Sequence, residues 1–396
     1  MNTRSISSPA ITRRSFLSRA ALAAIAAGSV APFGLRSARA AAPGFTVTDT
    51  KVIFQQPEYY IGWPTVTRRR NGELWLAYSG GREGHVCPFG QVQAMTSKDN
   101  GETWTWPRVL LDGAIDDRDA GALETNKGTL LVSTFTSLAY EPGLIAAEKS
   151  GKWAADKLAR WQGVHNRLSA AERQAELGQW MIRSTDGGIT WSERYPTIVN
   201  SPHGPVQLRD GRQIYAGKEL WTGGKRNGVC ESTDDGKTWH WLTELPVRKG
   251  DKASEYHELH AVEAENGKII LHIRNHNQPN AGETLQTEST DGGKTWTEPH
   301  PIGVWGLPSH LLRLTDGRLL MTYGHRRAPL GNQARISTDH GTTWSEPMVI
   351  SGDGNSGDLG YPSTVQLADG SLLTVWYELL KGYSRAVLRQ ARWKLS

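Results

Sequence analysis

Ser97-Lys98-Asp99-Asn100-Gly101-Glu102-Thr103-Trp104 decides the fold, because its pattern Ser-x-Asp-x-Gly-x-Thr-Trp returns at Ser184–Trp191, Ser232–Trp239, Ser289–Trp296 and Ser337–Trp344. Each residue type has a task in a tight turn. The Asp side chain accepts hydrogen bonds from nearby backbone N–H groups, the Gly takes positive φ, and the Trp lays its indole against neighbouring strands. The motif is a hairpin made rigid by its own side chains, and the unusual pairing of 43 Gly with 16 Trp follows from its repetition.

A looser repeat lies between the boxes: an apolar strand, a tight turn and a second apolar strand. Its turns are Asn71-Gly72, Lys127-Gly128, Asp210-Gly211, Asn266-Gly267, Asp316-Gly317 and Asp369-Gly370, six in all. Each unit therefore reads strand A, turn, strand B, longer connection, strand C, box, strand D. That is one four-stranded blade, so the expected fold is all-β, a six-bladed β-propeller over residues 41–396. The sixth unit lacks a box and ends at Ala391-Arg392-Trp393-Lys394; the extended segment Phe45 to Phe54 is expected to supply its missing fourth strand.

Spacing exposes one irregularity. Ser97 to Ser184 is 87 residues, against 48 for Ser184 to Ser232 and for Ser289 to Ser337. The extra chain, about residues 141–180, is rich in Ala, Leu, Lys, Glu and Gln and contains the capping box Ser169-Ala170-Ala171-Glu172. It reads as two helices joined near Gly163, inserted between strands B and C of blade 2.

The N-terminus carries Thr12-Arg13-Arg14-Ser15-Phe16-Leu17, an apolar run from Ala20 to Val30 and the small-residue pattern Ala38-Arg39-Ala40. This reads as a twin-arginine export signal over residues 1–40, with a periplasmic or secreted destination and no membrane anchor once it is removed. Losing its six Arg takes Lys+Arg from 45 to 39 against 40 Asp+Glu, so the net charge moves from +5 to about −1. The basic character belongs to the leader, and nucleic-acid binding loses its main support. Cys87 and Cys230 fall in different units, so neither a disulfide nor a thiolate metal site is expected, and no cofactor is called for.

Strand parity sorts the chemistry. The A-to-B turns and the boxes share one face of the ring, so the D-to-A and B-to-C connections share the other. Polar residues at the starts of A strands and the ends of B strands converge there: Trp63, Arg82, Glu83 and His85 from blade 1, Asp116 to Asp119 with Arg118 from blade 2, His203, Lys218 and Glu219 from blade 3. Blades 4 to 6 add His257, Glu258, His260, Arg274 and His276, then His310, His325, Arg326 and Arg327, then Tyr361 and Glu378. Such crowding of titratable groups at one end is the mark of a site rather than of a scaffold. The histidines lack the close spacing of a metal centre.

At the level of these motifs the chain resembles the exo-sialidase family over residues 45–396. Gly360-Tyr361-Pro362-Ser363 with Trp376-Tyr377-Glu378 looks like the family segment that carries a tyrosine nucleophile, and Glu258, 16 residues before Arg274, looks like its glutamate partner and one arginine of a carboxylate-binding triad. His203-Gly204-Pro205-Val206-Gln207-Leu208 is similar to the family's blade 3 opening. The resemblance implies a retaining exo-α-sialidase acting on glycans, in which Tyr361 attacks and Glu258 takes its proton. Two departures stand out. Gly62-Trp63-Pro64 occupies the place of the family's Arg-Ile-Pro, leaving Arg82 or Arg118 to reach in, with Arg326 or Arg327 as the third arginine. The usual aspartate acid is replaced by Gly81-Arg82-Glu83-Gly84-His85-Val86-Cys87-Pro88, in which Glu83 or His85 could serve, or Asp117 from next door. The alternatives are a related propeller acting on a uronate or rhamnose by a His/Glu acid-base pair, and a non-catalytic glycan-binding propeller. A monomer is expected.

Overall fold

The structure is a computed structural model, and it describes residues 41–221 and 224–396; the expected export signal lies outside the described residues. The boxes close as their composition demands. Asp99 Oδ1 accepts from Ser97 Oγ at 2.7 Å and from the Thr103 N–H at 2.9 Å, while Ser97 Oγ accepts from the Gly101 N–H at 2.8 Å. The Ser-to-Asp and Gly-to-Ser bonds recur in the other four boxes. The Thr103 hydroxyl and its N–H hold the Asp99 carboxyl down at about 2. Two of the box tryptophans bolt one blade to the preceding one: Trp344 Nε1 donates to Gln286 Oε1 of blade 4 at 2.8 Å, and Trp104 Nε1 to Gln390 Oε1 of blade 6 at 2.9 Å.

Among the described residues there are six four-stranded antiparallel sheets. The A strands begin at Tyr60, Asp116, Val206, Tyr256, Ser309 and Leu359. Blade 6 is completed by Phe45–Phe54, which pairs antiparallel with Val387–Leu395 from Phe45 opposite Leu395 to Phe54 opposite Leu388. The first strand thus closes the ring on the last, and the sheet edges that would have flanked the gap are paired. The core is a set of layers between blades; Trp63, Tyr78, Tyr361, Leu373 and Tyr377 form the one between blades 1 and 6. At the Gly121–Gly204 crossing, a Cβ on Gly121 would lie 2.4 Å from the Gly204 Cα, so the backbones of blades 2 and 3 meet where only glycine fits.

The insertion holds three helices rather than two: α1 (Glu141–Ser150), α2 (Ala155–His165) and α3 (Ala170–Ala175). The break comes at Gly151, whose left-handed conformation (φ 61°) caps α1, and not at Gly163, which lies inside α2. A glycine within a helix costs only about 1 kcal/mol relative to Ala, too little to end a turn that Trp161 anchors. The capping box of α3 forms in both directions, Glu172 N–H to Ser169 Oγ and Ser169 N–H to Glu172 Oε2. Tyr140, Leu144 and Trp161 seat the insertion against Cys87 and Ile115. Both cysteines are buried and free.

Candidate active site

Four A strands open with the same device. A register slip between Gly62 and Thr65, Arg118 and Gly121, His257 and His260, and Gly360 and Ser363 leaves one extra residue in blades 1, 2, 4 and 6. Within each slip a non-glycine residue takes positive φ: Trp63 (54°), Asp119 (53°), Glu258 (46°) and Tyr361 (52°). Each such residue costs on the order of 1–3 kcal/mol and persists only where its surroundings over-determine it. Four of them at matched positions around one end of a ring single that end out as the candidate site.

The strained residues of blades 4 and 6 meet. The Tyr361 hydroxyl donates to Glu258 Oε1 at 2.5 Å, and Arg274 Nη1 donates to Glu258 Oε2 at 2.6 Å and to the Tyr361 oxygen at 3.1 Å. Arg274 Nε donates to His276 Nε2 at 2.8 Å, which sets that guanidinium's plane. Burial alone would raise the Glu258 carboxyl, but Arg274 and the tyrosine hydroxyl outweigh it and hold it below its usual range. Burial and the Glu258 charge push the Tyr361 hydroxyl well above 10. The pair is therefore a neutral phenol aimed at a carboxylate, an arrangement in which the carboxylate could take the phenol's proton.

Aromatic and cationic groups surround it. Trp63 lies edge-on to Tyr361, with ring centres 6.4 Å apart, and has the guanidinium groups of Arg82 and Arg118 at 5.1 and 5.0 Å from its ring. Arg326 stands 5.9 Å from the centre of the Tyr361 ring and is held through Nε by the Leu359 carbonyl. Asp119 is buried, and burial lifts its carboxyl to about 7 against the pull of Arg118. His85 also lies edge-on to Trp63, with ring centres 4.9 Å apart. Its Nδ1 is 3.2 Å from Asp358 Oδ1, and the same carboxylate accepts from Tyr60 and Tyr377 at 2.9 and 3.1 Å.

Tyr361, Glu258, Arg274, Arg326, Arg118, Trp63 and His85 are thus brought together, and other candidates are not. Glu83 accepts from Arg160 Nε and Trp161 Nε1, both at 2.8 Å, and ties α2 to blade 1. Glu378 is fully buried, accepting from Trp376 Nε1 at 3.0 Å and from Arg389. It shares the face of Trp376 and so packs between blades 5 and 6, whereas Tyr377 turns the other way, as a period of two requires. Arg327 sits over Trp305. Arg82 is fully buried beneath Trp63, paired with Asp116 at 2.7 Å. Asp117 is buried, accepts the Gly113 N–H and has its carboxyl lifted to about 7 by that burial. His203 lies in the central channel with His260 and His310, their ring centres 4.7–5.3 Å apart. Among the described residues only Glu255, His257 and His276 have metal-like spacing, and His276 Nε2 is already engaged by Arg274.

Sequence reasoning did not single out Asp358 or Tyr60, took Tyr377 only as part of a motif, and took Asp119 only as one of the run Asp116 to Asp119 in blade 2. The missed signal was positional: Asp119 occupies the same place in its blade as Glu258 and Tyr361.

Residues 160–374 match the BNR repeat-like domain family. A sialidase of Bacteroides fragilis is 25% identical over 309 residues, 71% of this chain and 53% of that protein. A sialidase of Clostridium perfringens is 23% identical over 280 residues, 67% of this chain and 56% of the relative. The chain therefore spans about half the length of the curated relatives it matches. A solved structure of a Dyadobacter fermentans protein of unknown function is similar with a TM-score of 0.73 and 25% identity, covering 89% of this chain and 100% of that one. With the five boxes, the six sheets and a match over more than half its length in agreement, the chain belongs to the BNR repeat-like domain family.

Proposed function

We propose that the protein is a retaining exo-glycosidase of the sialidase type, releasing terminal sialic acid from glycans. One observation carries the reading: the neutral Tyr361 hydroxyl donates to the Glu258 carboxylate at 2.5 Å with Arg274 touching both. Most glycosidases attack with a carboxylate, and sialidases, with a tyrosine nucleophile, are the exception. The physical reason is the sugar's own carboxylate on the anomeric carbon, which repels an anionic nucleophile but not a phenol that loses its proton during attack. Tyr361 attacks, Glu258 receives the proton, and the positive charge of Arg274 stabilises the phenolate as it develops. Arg118 and Arg326 supply further cations for the substrate carboxylate, with Trp63 as the wall where the resemblance implies an arginine.

Hydrolysis of a fluorogenic sialoside, with the first-formed anomer read by NMR, tests this. Release of the α-anomer is expected; release of the β-anomer would exclude a covalent intermediate on Tyr361. A second reading is favoured by Trp63 alone: a propeller of this family acting on a uronate- or rhamnose-bearing glycan by hydrolysis or elimination. Uronic-acid oligosaccharides, followed by the ultraviolet absorbance of an unsaturated product, separate it from the first. A plain glycan-binding role has the least support, because binding has no use for the strained Tyr361–Glu258 pair. Export through the twin-arginine route would place the enzyme where such glycans are met.

A further inference from the structure

The retaining reaction needs a second proton group, one that protonates the leaving oxygen and later deprotonates water. The carboxylates near the site are poorly placed for it. Glu83 is taken up by Arg160 and Trp161. Asp117 accepts from the Gly113 N–H, and Asp119 is buried at the register slip of blade 2, whereas His85 is half exposed. What remains is a histidine, and it is built for the task.

We propose that His85 is the acid–base catalyst of the reaction inferred above and that Asp358 is its positioning residue. The inference rests on that reading and names the group it leaves open. His85 and Tyr361 both stand edge-on to the Trp63 ring, at 4.9 and 6.4 Å between ring centres, and Tyr377 packs against Tyr361 while donating to Asp358, so the imidazole and the phenol belong to one aromatic cluster. Asp358 Oδ1 lies 3.2 Å from His85 Nδ1, which directs Nδ1–H to the carboxylate and presents Nε2 outward. Nε2 makes no hydrogen bond among the described residues, and the His85 side chain is 48% exposed, whereas Tyr361 and Trp63 are buried. The carboxylate is itself fixed by Tyr60 (2.9 Å) and Tyr377 (3.1 Å), donors that a solvated loop aspartate would not need. Arg82 holds the loop from beneath through Nη2 to the His85 carbonyl at 3.2 Å.

The steps balance. As the Tyr361 oxygen bonds to the anomeric carbon, its proton passes to Glu258, and the breaking bond to the leaving oxygen takes the Nε2 proton of the His85 imidazolium. Neutral His85 then removes a proton from water. The water oxygen bonds to the anomeric carbon, the bond to Tyr361 breaks, and Glu258 returns the proton to the phenolate. Asp358 stays ionised throughout and stabilises the imidazolium. The groups facing His85 are Asp358, Tyr60, Tyr377 and Trp63, with Arg82 below the loop.

The experiment compares sialyllactose, whose alkoxide leaving group requires protonation, with 4-methylumbelliferyl sialoside, whose phenoxide requires little. Wild type should turn over both. His85→Ala should lose about 10²–10⁴-fold in kcat/KM on sialyllactose and far less on the aryl substrate, with azide raising turnover of the latter as sialyl azide forms. Activity on the aryl substrate shows that the variant is folded. Asp358→Asn should fall between the two and shift the basic limb of the kcat/KM profile to lower pH, because the imidazolium loses its counter-ion; the limb of a merely structural residue would not move. Equal losses on both substrates in His85→Ala, or an unmoved limb in Asp358→Asn, overturn the dyad and leave the Tyr361 reading standing. If wild type turns over neither sialoside, the reading in the preceding section fails and the dyad fails with it.

Discussion

Acidification should strip stability from the channel histidines, and the size of the loss follows from their burial. His203, His260 and His310 are all buried, in mutual contact and held neutral; burial takes the His310 imidazole from 6.5 to about 3, and the other two fall well below 6.5 for the same cause. A histidine whose pKa is depressed by folding contributes stability that is present above 6.5 and is lost as the pH falls toward the folded value. At pH 5.0 the unfolded chain has gained a proton that the folded chain refuses. About 1.5 pH units at about 1.4 kcal/mol each give about 2 kcal/mol for His310. Asp117 and Asp119 act in the opposite sense. Burial raises their carboxyls to about 7, so their contribution is present at low pH and is lost as the pH rises through 7. The gross pH dependence therefore mixes both, and a variant isolates the histidine. Urea unfolding followed by tryptophan fluorescence at pH 7.5 and 5.0 should show His310→Gln losing about 2 kcal/mol less than wild type across that interval. Parallel losses in the two proteins would refute the claim that a neutral buried imidazole stands at this position.

Two further outcomes follow from the fold. Gly121→Ala places a methyl 2.4 Å from the Gly204 Cα and should cost about 1–3 kcal/mol as blades 2 and 3 are forced apart, read as a lower urea midpoint; an unchanged midpoint would mean the crossing is looser than described. Glu83→Ala removes the acceptor of Arg160 and Trp161, so limited proteolysis should cut the 141–175 insertion sooner while sialoside turnover is largely kept; loss of turnover without faster cutting would return Glu83 to the chemistry.

The fold was legible because its signals are local and repeated. A box needs only eight residues to state its turn, and six Gly turns set the blade count before any long-range contact is known. The ring closure was readable for the same reason, since an unboxed last unit and an extended first segment have only each other to pair with. The site was partly legible. Tyr361, Glu258 and Arg274 sit at blade positions that parity places at one end, and they touch. Glu378 and Glu83 were misplaced because the end of a strand does not say which face a side chain takes: a shift of one residue exchanges Glu378 for Tyr377, and Glu83 was claimed by a helix whose packing no local pattern records. Asp358 was unreadable because its meaning lies in His85, 273 positions earlier in the chain. The helix break at Gly151 rather than Gly163 turned on packing around Trp161, again a non-local fact.

The central claim is that Tyr361 forms the bond to the sugar. Incubating the protein with a 3-fluorosialosyl fluoride, which slows breakdown of a glycosyl-enzyme, followed by peptide mass mapping, tests it most directly. A single sialosyl adduct is expected on the peptide carrying Tyr361 and none in Tyr361→Phe; an adduct on Glu258 or any other residue, or turnover of the sialoside by Tyr361→Phe at the wild-type rate, would overturn Tyr361 as the nucleophile.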